Sequence, residues 1–539
     1  MKGTHMKFEK KRFDFNFPET IWNRYCGFLD LTLDEFMAIQ KRKLLEQITL
    51  LERSPMKNIY FKNKVPQSVE EFRKTVSLTT YEDYLPYLDK EKTDGLPAEP
   101  VVWARSSGRS SIKQFKWVPY SKEMLAKVGE FAVASFILAS CNSKGDVKLK
   151  EENTCLYSLA PPPYFTGAVV ARGLTDHINI RFLPSFEESR ELEFKDRVKL
   201  GFTHAFTEGI DFFYGLSSIL VSVGEQFGNM EKGSGGFKPS IKMLKPSALG
   251  RIIKILFLKL FRKEALKPKD IWQVKGIVAG GMDTAFFKDK IEELWGRKPL
   301  EGYGGTEMGG IALQAWNRKG MSFLPDGNFL EFIPEEDFYK SRDEKIVPRL
   351  LTMDQLEKGV YEIVITNFNG GIFVRYRTGD LIEIIGKTDD ELGIDLPQMV
   401  FHARADGVID LGGFTRLTEK RVWGIINTLG IPYAEWSIRK EYTRGKPILH
   451  LYFEPINPVT EKELQSLVHK KLMEEDSGYE AMERLLDIFP LDVTILSPGT
   501  FSSYIAIQQA EGAELAHLKP PHFNARDEVV EKLIKLSHE

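Results

Sequence analysis

The pattern of apolar and polar positions changes near residue 101. Residues from about 20 to 100 carry apolar side chains at helical spacing, with breaks at Pro55 and Pro66, which predicts a run of helices. Further along, short runs rich in β-branched and aromatic residues (VVWA, TCLYSLA, KGIVAGG, YEIVITN) alternate with longer amphipathic segments such as KEMLAKVGEFAVASFILAS. This alternation predicts an α/β architecture in which helices cover a sheet.

The length of the chain predicts more than one domain. A chain of 539 residues is too long for a single hydrophobic core. A charged, glycine-bearing stretch, ARADGVIDLGGF, begins near Arg404 and is followed by a new alternation of helix and strand. We therefore predict a large N-terminal domain over residues 1–405 and a smaller α+β C-terminal domain over residues 406–539.

One segment, RIIKILFLKLFRK from Arg251 to Lys263, is both basic and amphipathic. Such a helix can lie on a membrane surface, or it can pack its apolar face on the large domain with its lysines towards water. We favour the packed helix. The longest apolar stretch, from Phe212 to Val223, is shorter than the roughly 20 residues that cross a bilayer. We therefore expect no membrane partner.

The composition narrows the class of protein further. With 74 basic and 76 acidic residues the net charge is −2, so nothing in the charge balance points to nucleic acid. The cysteines, Cys26, Cys141 and Cys155, are odd in number and irregularly spaced, which fits a reducing compartment better than a disulfide framework. The N-terminus has no apolar run typical of a secretory signal. A cytoplasmic enzyme is the expectation.

The first candidate site follows the VVWA run. Small hydroxyl residues surround a glycine and an arginine there: Ser106, Ser107, Gly108, Arg109 and Ser110. Backbone N–H groups and hydroxyls of such a loop can converge on an anion, and the arginine can supply counter-charge. On its own the pattern is more typical of a simple polar loop, and phosphate binding is the functional alternative.

The second candidate site is the glycine-rich segment EGYGGTEMGG. Its glycines, including Gly304, allow a planar base to approach the backbone beside Tyr303 and Thr306. Glu307 is suited to Mg²⁺, which prefers carboxylate oxygen. A glycine-rich surface turn is the alternative. Upstream, the apolar run IVAGG ends at Gly281, and ligands of open α/β sheets lie beyond such strand ends.

Further along the chain, three segments add single candidate residues. Asp380 ends the motif YRTGD, and its carboxylate can accept both hydroxyls of a ribose. Arg404 can reach ribose or phosphate, and Asp406 beside it suits a hinge. Lys519, in AHLKPPH near the C-terminus, is ordinarily a solvated surface residue.

Taken in order, the SSG loop, YGGTE, YRTGD and ARAD resemble the adenylate-forming superfamily of acyl-CoA ligases, peptide-synthetase adenylation domains and luciferases. Within it, TYEDYLPY, KWVPYS, the pair YEIVITN and VRYRTGD, and the terminal GTF and GAELAHLKPPH are most similar to the acyl acid–amido synthetases, first known as auxin-responsive proteins of plants. The segment APPPYFTG also resembles the phenylacetate-CoA ligase branch.

The resemblance implies that ATP and Mg²⁺ bind and that each motif has a role. The implied nucleotide-binding residues are Ser106, Ser107, Gly108, Arg109 and Ser110 around the triphosphate, Tyr303 against adenine, Gly281 and Gly304 nearby, Thr306 at the α-phosphate or the acyl carboxylate, and Asp380 at the ribose with Arg404. Glu307 would coordinate Mg²⁺, Asp406 would be the pivot of the small domain, and Lys519 would reach the α-phosphate. Glu307, Arg109 and Lys519 are thus the implied catalytic residues.

The implied reaction activates a small-molecule carboxylic acid as an acyl-adenylate and transfers it to an amine, most simply an amino acid. An acyl-CoA ligase, with CoA as acceptor, is the first alternative, and a non-catalytic nucleotide-binding relative is the second. The second stays open because Arg109 replaces the usual hydroxyl residue and Ile112 a usual glycine. An arginine can grip phosphate through two hydrogen bonds, whereas a β-branched residue avoids left-handed backbone. The sequence identifies neither the carboxylic acid substrate nor the oligomeric state.

Overall fold

A computed structural model describes residues 17–61, 64–88, 93, 95–106, 116–158, 162–189, 192, 194–229, 246–261, 265–280, 284–343, 346–404, 407–411, 415–443, 446–476, 479–480, 483, 489–510 and 522–538. The chain forms two compact units. The large unit runs to Thr378 and includes Ile382–Phe401, and the small unit comprises Gly379–Leu381 and the chain from His402 onward. The domain boundary between residues 405 and 406 stays a prediction.

A mixed sheet forms the centre of the first part of the chain. The strands in this part of the chain are β1 (Val102–Arg105), β2 (Trp117–Tyr120), β3 (Thr154–Ser158), β4 (Arg181–Leu183), β5 (Phe212–Leu216), β6 (Gly276–Gly280), β7 (Leu300–Gly305), β8 (Gly309–Gln314), β9 (Met321–Phe323), β10 (Asn328–Pro334), β11 (Gly359–Asn367), β12 (Tyr376–Gly386) and β13 (Gln398–Arg404). The order of the strands in the mixed sheet is β10-β11-β12-β13-β9-β8-β7-β6-β5-β3-β4. Neighbouring strands from β4 to β7 pair in parallel, and those from β7 to β9 pair antiparallel.

Helices surround this sheet, as the alternating pattern predicts. Thr32 begins the longest of them with a capping box, in which the Glu35 N–H donates to the Thr32 hydroxyl and the Glu35 carboxylate accepts from the Thr32 N–H. The helices are α1 (Pro18–Tyr25), α2 (Leu33–Arg53), α3 (Lys57–Tyr60), α4 (Val69–Thr75), α5 (Lys122–Ser140), α6 (Ala171–His177), α7 (Phe186–Ser189), α8 (Phe194–Glu208), α9 (Ser217–Asn229), α10 (Pro246–Phe261), α11 (Pro268–Ile271), α12 (Thr284–Trp295) and α13 (Glu335–Asp343).

Helix α5 is more deeply buried than its sequence suggests. It is the predicted helix KEMLAKVGEFAVASFILAS, but its second half is buried on every side rather than amphipathic. It meets α6 at two glycines, where a Cβ added to Gly129 would lie 2.5 Å from the Gly173 carbonyl oxygen. The two helix backbones therefore touch, and only glycine allows this approach.

The small unit has its own core and an α+β architecture. Strands β16 and β17 form an antiparallel hairpin, and β18 joins β17 in parallel. Its elements are β14 (Val408–Asp410), β15 (Arg416–Thr418), α14 (Glu419–Thr428), β16 (Tyr433–Thr443), β17 (Lys446–Pro455), α15 (Glu461–Glu475), β18 (Leu491–Ile495), α16 (Thr500–Ala510) and α17 (Asp527–His538). The predicted fold class, a large α/β part with a smaller α+β part, is confirmed.

Helix α10 departs from its sequence expectation. Its inner side packs through Ala248, with Ile252 and Ile255 partly buried, but large apolar residues on its other side, such as Leu256 and Leu260, are exposed. The helix therefore packs on the large unit and exposes Lys254 as expected, but part of its apolar surface faces water as well. In the part of the chain that the structure describes, no helix combines the length and the hydropathy that crossing a bilayer demands.

Candidate nucleotide-binding site

The predicted phosphate loop connects the two strands of a hairpin. β1 and β2 pair antiparallel from Val102 opposite Tyr120 to Arg105 opposite Trp117. Beyond the last pair, the Ser106 N–H donates to the Lys116 carbonyl oxygen at 2.9 Å. This bond closes the stem on which the loop stands. Ser107, Gly108, Arg109 and Ser110 lie outside the described residues.

Three sequence motifs meet at the side chains of Lys116, Glu307 and Tyr376. Lys116 stands at the end of the predicted phosphate loop, Glu307 lies in the turn between β7 and β8, and Tyr376 begins β12. The Lys116 Nζ is 3.0 Å from Glu307 Oε1 and 3.2 Å from the Tyr376 hydroxyl oxygen, which is itself 3.4 Å from Glu307 Oε1. The Lys116 and Glu307 side chains keep 20% and 15% of their exposure, so the pair is reachable from solvent. The sheet thus gathers the first three motifs in one place.

The backbone around Glu307 is held by neighbouring polar side chains. The Tyr120 hydroxyl donates to the Thr306 carbonyl oxygen at 2.6 Å, and the Asn367 side-chain amide donates to the Glu307 carbonyl oxygen at 3.0 Å. A Cβ added to Gly304 would lie only 2.3 Å from the Gly309 carbonyl oxygen, so a glycine is required for the tight β7–β8 turn. The turn therefore presents the Glu307 carboxylate in a fixed position.

The neighbouring phenols stay protonated and leave Lys116 as the counter-charge. Burial raises the pKa of Tyr81 to about 12, and the negative charge of Glu307 adds a smaller rise. The Trp117 N–H, which donates to the Tyr81 oxygen, lowers this pKa only in part. Burial also raises the pKa of Tyr120 well above its usual range, again with help from Glu307. The Lys116 ammonium lies 5.1 Å from the centre of the Tyr81 ring, a favourable cation–π distance. Neutral phenols can donate hydrogen bonds here without adding negative charge.

The other predicted residues are distributed between the two units. Tyr303 is buried in the large unit, and its ring stacks on Phe401 with centroids 6.0 Å apart. In the small unit, Arg404 Nε lies 3.6 Å from Asp380 Oδ1, so two predicted ribose contacts are neighbours. The remaining predicted residues, Gly281, Asp406 and Lys519, lie outside the described residues.

Comparison with known proteins finds two matching family domains. The GH3 family N-terminal domain matches residues 28–160, and the GH3 family central domain matches residues 321–404. The first match contains the β1–β2 hairpin with the predicted phosphate loop, and the second contains Tyr376 and Asp380. These two parts of the chain are similar to the GH3 family.

A curated plant enzyme and several solved structures are also similar to this chain. A jasmonoyl–L-amino acid synthetase of Oryza sativa subsp. japonica is 23% identical over 273 residues, which are 46% of this chain and 45% of the relative; the match thus spans about half of each protein. The solved GH3.15 acyl acid amido synthetase in complex with 2,4-DB superposes with a TM-score of 0.68 at 15% identity, covering 97% of both chains. A 2-hydroxyisobutyryl-CoA ligase in the postadenylation state superposes with a TM-score of 0.55 at 12% identity over 96% of this chain and 93% of that one. These structures share the fold.

The arginines of the VRYRTGD motif hold the sheet together. Arg375 is buried, adopts a positive φ of 45°, and donates from Nε and one terminal nitrogen to both oxygens of Glu331 on β10, each at 2.9 Å. Arg377 donates from Nε and one terminal nitrogen to a single oxygen of Glu362 on β11, at 2.9 and 2.6 Å. These charged hydrogen bonds fix the start of β12 and so place Tyr376 beside Glu307.

Sequence reasoning did not single out Tyr376 or Asn367. Lys116 was one of the lysines beside the loop that could supply counter-charge, and Tyr376 was only part of a motif whose aspartate drew attention. Their shared signal is position: each lies at the end of a strand next to a motif. Asn367 ends β11, and its side chain contacts the Glu307 backbone. No local sequence pattern predicts this contact.

A cavity of about 550 Å³ lies in the large unit. Its described lining includes Tyr120, whose hydroxyl donates to the Thr306 carbonyl oxygen, and Met308, which follows Glu307 in the chain. Its size is that of a small-molecule site.

Proposed function

We propose that this chain is an acyl acid–amido synthetase, which activates a carboxylic acid with ATP and transfers the acyl group to the amine of an amino acid. The observation that supports it most is the meeting of Lys116, Glu307 and Tyr376. These residues come from three motifs of adenylate-forming enzymes, and together they offer one cation, one carboxylate and one hydroxyl. That set suits the phosphates of a magnesium nucleotide.

In the proposed first half-reaction, a carboxylate oxygen of the acid attacks the α-phosphorus of ATP. The bond from the α-phosphorus to the bridging oxygen breaks, and pyrophosphate leaves with that electron pair. The protein contributes position and charge rather than covalent chemistry. Lys116, oriented by the Tyr376 hydroxyl, would neutralise phosphate oxygens, together with Arg109 and Lys519. Tyr303 would lie near adenine, and Asp380 would accept the ribose hydroxyls.

Magnesium fits the donor set around Glu307. Mg²⁺ is usually held by one or two carboxylates plus substrate phosphates and water, and among the described residues no cluster of three or more acidic, histidine or cysteine side chains forms a complete protein cage. The ammonium of Lys116 already lies 3.0 Å from Glu307 Oε1, so the carboxylate accommodates a cation. Glu307 would hold the ion, which when bound neutralises charge on the phosphates.

In the proposed second half-reaction, the amine nitrogen attacks the acyl carbon, AMP leaves, and one proton is released to water. The amine must be neutral to attack, so amide formation rises with pH towards the pKa of the amine. We infer that the small unit turns about Asp406 between the two half-reactions and withdraws Lys519, a hinge motion of a common kind.

The experiment that tests the proposal is acid-dependent exchange of labelled pyrophosphate into ATP, run acid by acid with the full chain. We expect exchange with one class of small carboxylic acid and none without acid. ATP binding without exchange for any acid would instead mean a nucleotide-binding relative that does not turn over.

The acceptor is tested separately by product mass. The active acid is incubated with ATP and either a mixture of amino acids or CoA. An acyl–amino acid supports the amido synthetase, whereas an acyl-CoA alone would reassign the chain as an acyl-CoA ligase. That alternative is kept because a CoA ligase shares the fold and because the segment APPPYFTG resembles one branch of such ligases.

A further inference from the structure

Helix α10 carries a row of exposed apolar side chains. We call this row the apolar stripe; it consists of Leu249, Ile253, Leu256, Phe257, Leu260 and Phe261, which keep between 52% and 77% of their exposure. Their spacing of three and four residues places them on one face of the helix. Phe257 and Phe261 also contact each other, with ring centroids 4.6 Å apart. A continuous exposed face of this kind marks an interaction surface.

The opposite face fixes the helix to the large unit. Ala248 is fully buried, and Ile252 and Ile255 pack against the same core. The Arg251 guanidinium donates to the Phe206 carbonyl oxygen at 2.8 Å, at the end of α8. The helix therefore cannot turn its apolar stripe inward without uncovering the residues that it already buries.

The charges of α10 decide which partner fits. Every charged residue between Pro246 and Phe261 is basic, namely Arg251, Lys254 and Lys259, and two more basic residues follow at once in the sequence. Lys254 is exposed between members of the apolar stripe. Two copies of this face would bring like charges together, whereas an anionic lipid surface offers opposite charge around an apolar interior.

We propose that α10 docks this protein on an anionic phospholipid membrane, with the apolar stripe in the acyl region and Lys254 among the headgroups. With 16 residues the helix is about 24 Å long, shorter than the roughly 30 Å hydrocarbon core, so it lies in the plane of the surface. The proposal departs from the sequence expectation of no membrane partner. It is independent of the proposed enzymatic activity.

Vesicle binding of the full chain tests this inference. Vesicles are made of phosphatidylcholine alone or of equal parts phosphatidylcholine and phosphatidylglycerol. We expect co-sedimentation with the anionic vesicles, weaker binding to the neutral ones, and less binding as salt screens the headgroups. The double variant Leu256→Asp/Phe257→Asp should lose binding, because two carboxylates would enter the acyl region. Lys254→Gln should weaken binding roughly fivefold, the share of one basic residue.

The matched control is Val347→Asp, which places the same carboxylate on another apolar residue, 89% exposed and outside α10. It should bind like the wild type. Unchanged binding by the Leu256 and Phe257 double variant, equal binding to both vesicle types, or no binding by the folded wild type would each overturn the proposal. Circular dichroism separates loss of fold from loss of binding, and Leu260→Ser gives a milder change on the same stripe.

A labelled cysteine locates the contact. The native cysteines, Cys26, Cys141 and Cys155, are buried, so an environment-sensitive dye should react selectively with Leu256→Cys. Its emission should shift to shorter wavelength on anionic vesicles, while the dye at Val347→Cys should not respond. A shift that appears without vesicles as the protein concentration rises, with a doubled mass by light scattering, would show that a second copy covers the stripe and would refute the membrane proposal.

Discussion

Lys116 and Glu307 form the ion pair on which the proposed chemistry depends. Both side chains are largely shielded, with 20% and 15% exposure, and a partly buried charge pair depends on good hydrogen bonds to be favourable. The Tyr376 hydroxyl supplies such contacts to both partners. The pair is thus set in a defined geometry while one side remains open to a ligand.

Tyr376→Phe tests this geometry at the scale of a single residue. Loss of the hydroxyl removes one hydrogen bond to a charged group, so we expect acid-dependent pyrophosphate exchange to fall about tenfold while the protein stays folded. Steady-state exchange rates and circular dichroism measure the two effects. Tyr433→Phe is the control, because it removes a tyrosine hydroxyl of the small unit that bonds the Asn427 side chain; an equal loss in both variants would argue against a role for Tyr376.

Part of this site can be predicted from the sequence, and the rest cannot. Glu307 and Asp380 are visible because they sit in short motifs whose residue types suit magnesium and ribose. The partner of Glu307 cannot be recognised from local sequence, because Lys116 and Glu307 are 191 residues apart and lie next to strands of different sheets. The roles of Glu307 and Asp380, like those of Ser107 to Ser110 and Lys519, remain predictions.

At the scale of elements, the backbone contact between α5 and α6 determines how the sheet is covered. Gly129→Ala should destabilise the large unit by about 1–3 kcal/mol, because the new methyl group would lie 2.5 Å from the Gly173 carbonyl oxygen and the helices must move apart. Chemical denaturation measures the change in free energy of unfolding. Gly424→Ala in α14 is the control, since a Cβ there meets nothing within 4 Å; it should be neutral or slightly stabilising. Equal destabilisation by both variants would contradict this account.

Element types follow from local pattern better than their surroundings do. The runs VVWA, TCLYSLA, KGIVAGG and YEIVITN become β1, β3, β6 and β11, because β-branched and aromatic residues suit a pleated, packed surface. Burial is harder to predict from the sequence. Helix α5 has a polar start but is enclosed by its neighbours, and α10 exposes an apolar face. Which side of a helix is covered depends on elements far away in the sequence.

At the scale of the whole molecule, each unit has its own core, and the small unit contains a buried charge cluster. His522 lies between two carboxylates, with Nδ1 3.0 Å from Glu419 Oε1 and Nε2 2.6 Å from Glu435 Oε1, and its ring stacks on Trp436. Burial by itself would lower the pKa of His522, but the hydrogen bonds and charges of the two glutamates outweigh it and raise the pKa from 6.5 to about 9.

This cluster predicts how the stability of the small unit depends on pH. A histidine whose pKa is higher in the folded state stabilises fully below its unfolded pKa of 6.5, and this contribution is lost as the pH rises through about 9. His522→Gln should lower the free energy of unfolding by about 1–3 kcal/mol at pH 6 and by less at high pH. Thermal unfolding across this range measures it. His204→Gln, which removes an exposed pair with Glu188 in the large unit, should leave the profile unchanged; a flat profile in the wild type would refute the prediction.

The most direct test of the central claim is the magnesium dependence of pyrophosphate exchange in Glu307→Gln. Removal of the carboxylate that would hold the ion should lower exchange roughly 100-fold or more and raise the magnesium concentration needed for half-maximal rate. Glu336→Gln, which removes a carboxylate from an exposed pair on α13, should behave like the wild type. An unchanged exchange rate and magnesium dependence in Glu307→Gln would contradict the claim that Lys116, Glu307 and Tyr376 surround a magnesium nucleotide.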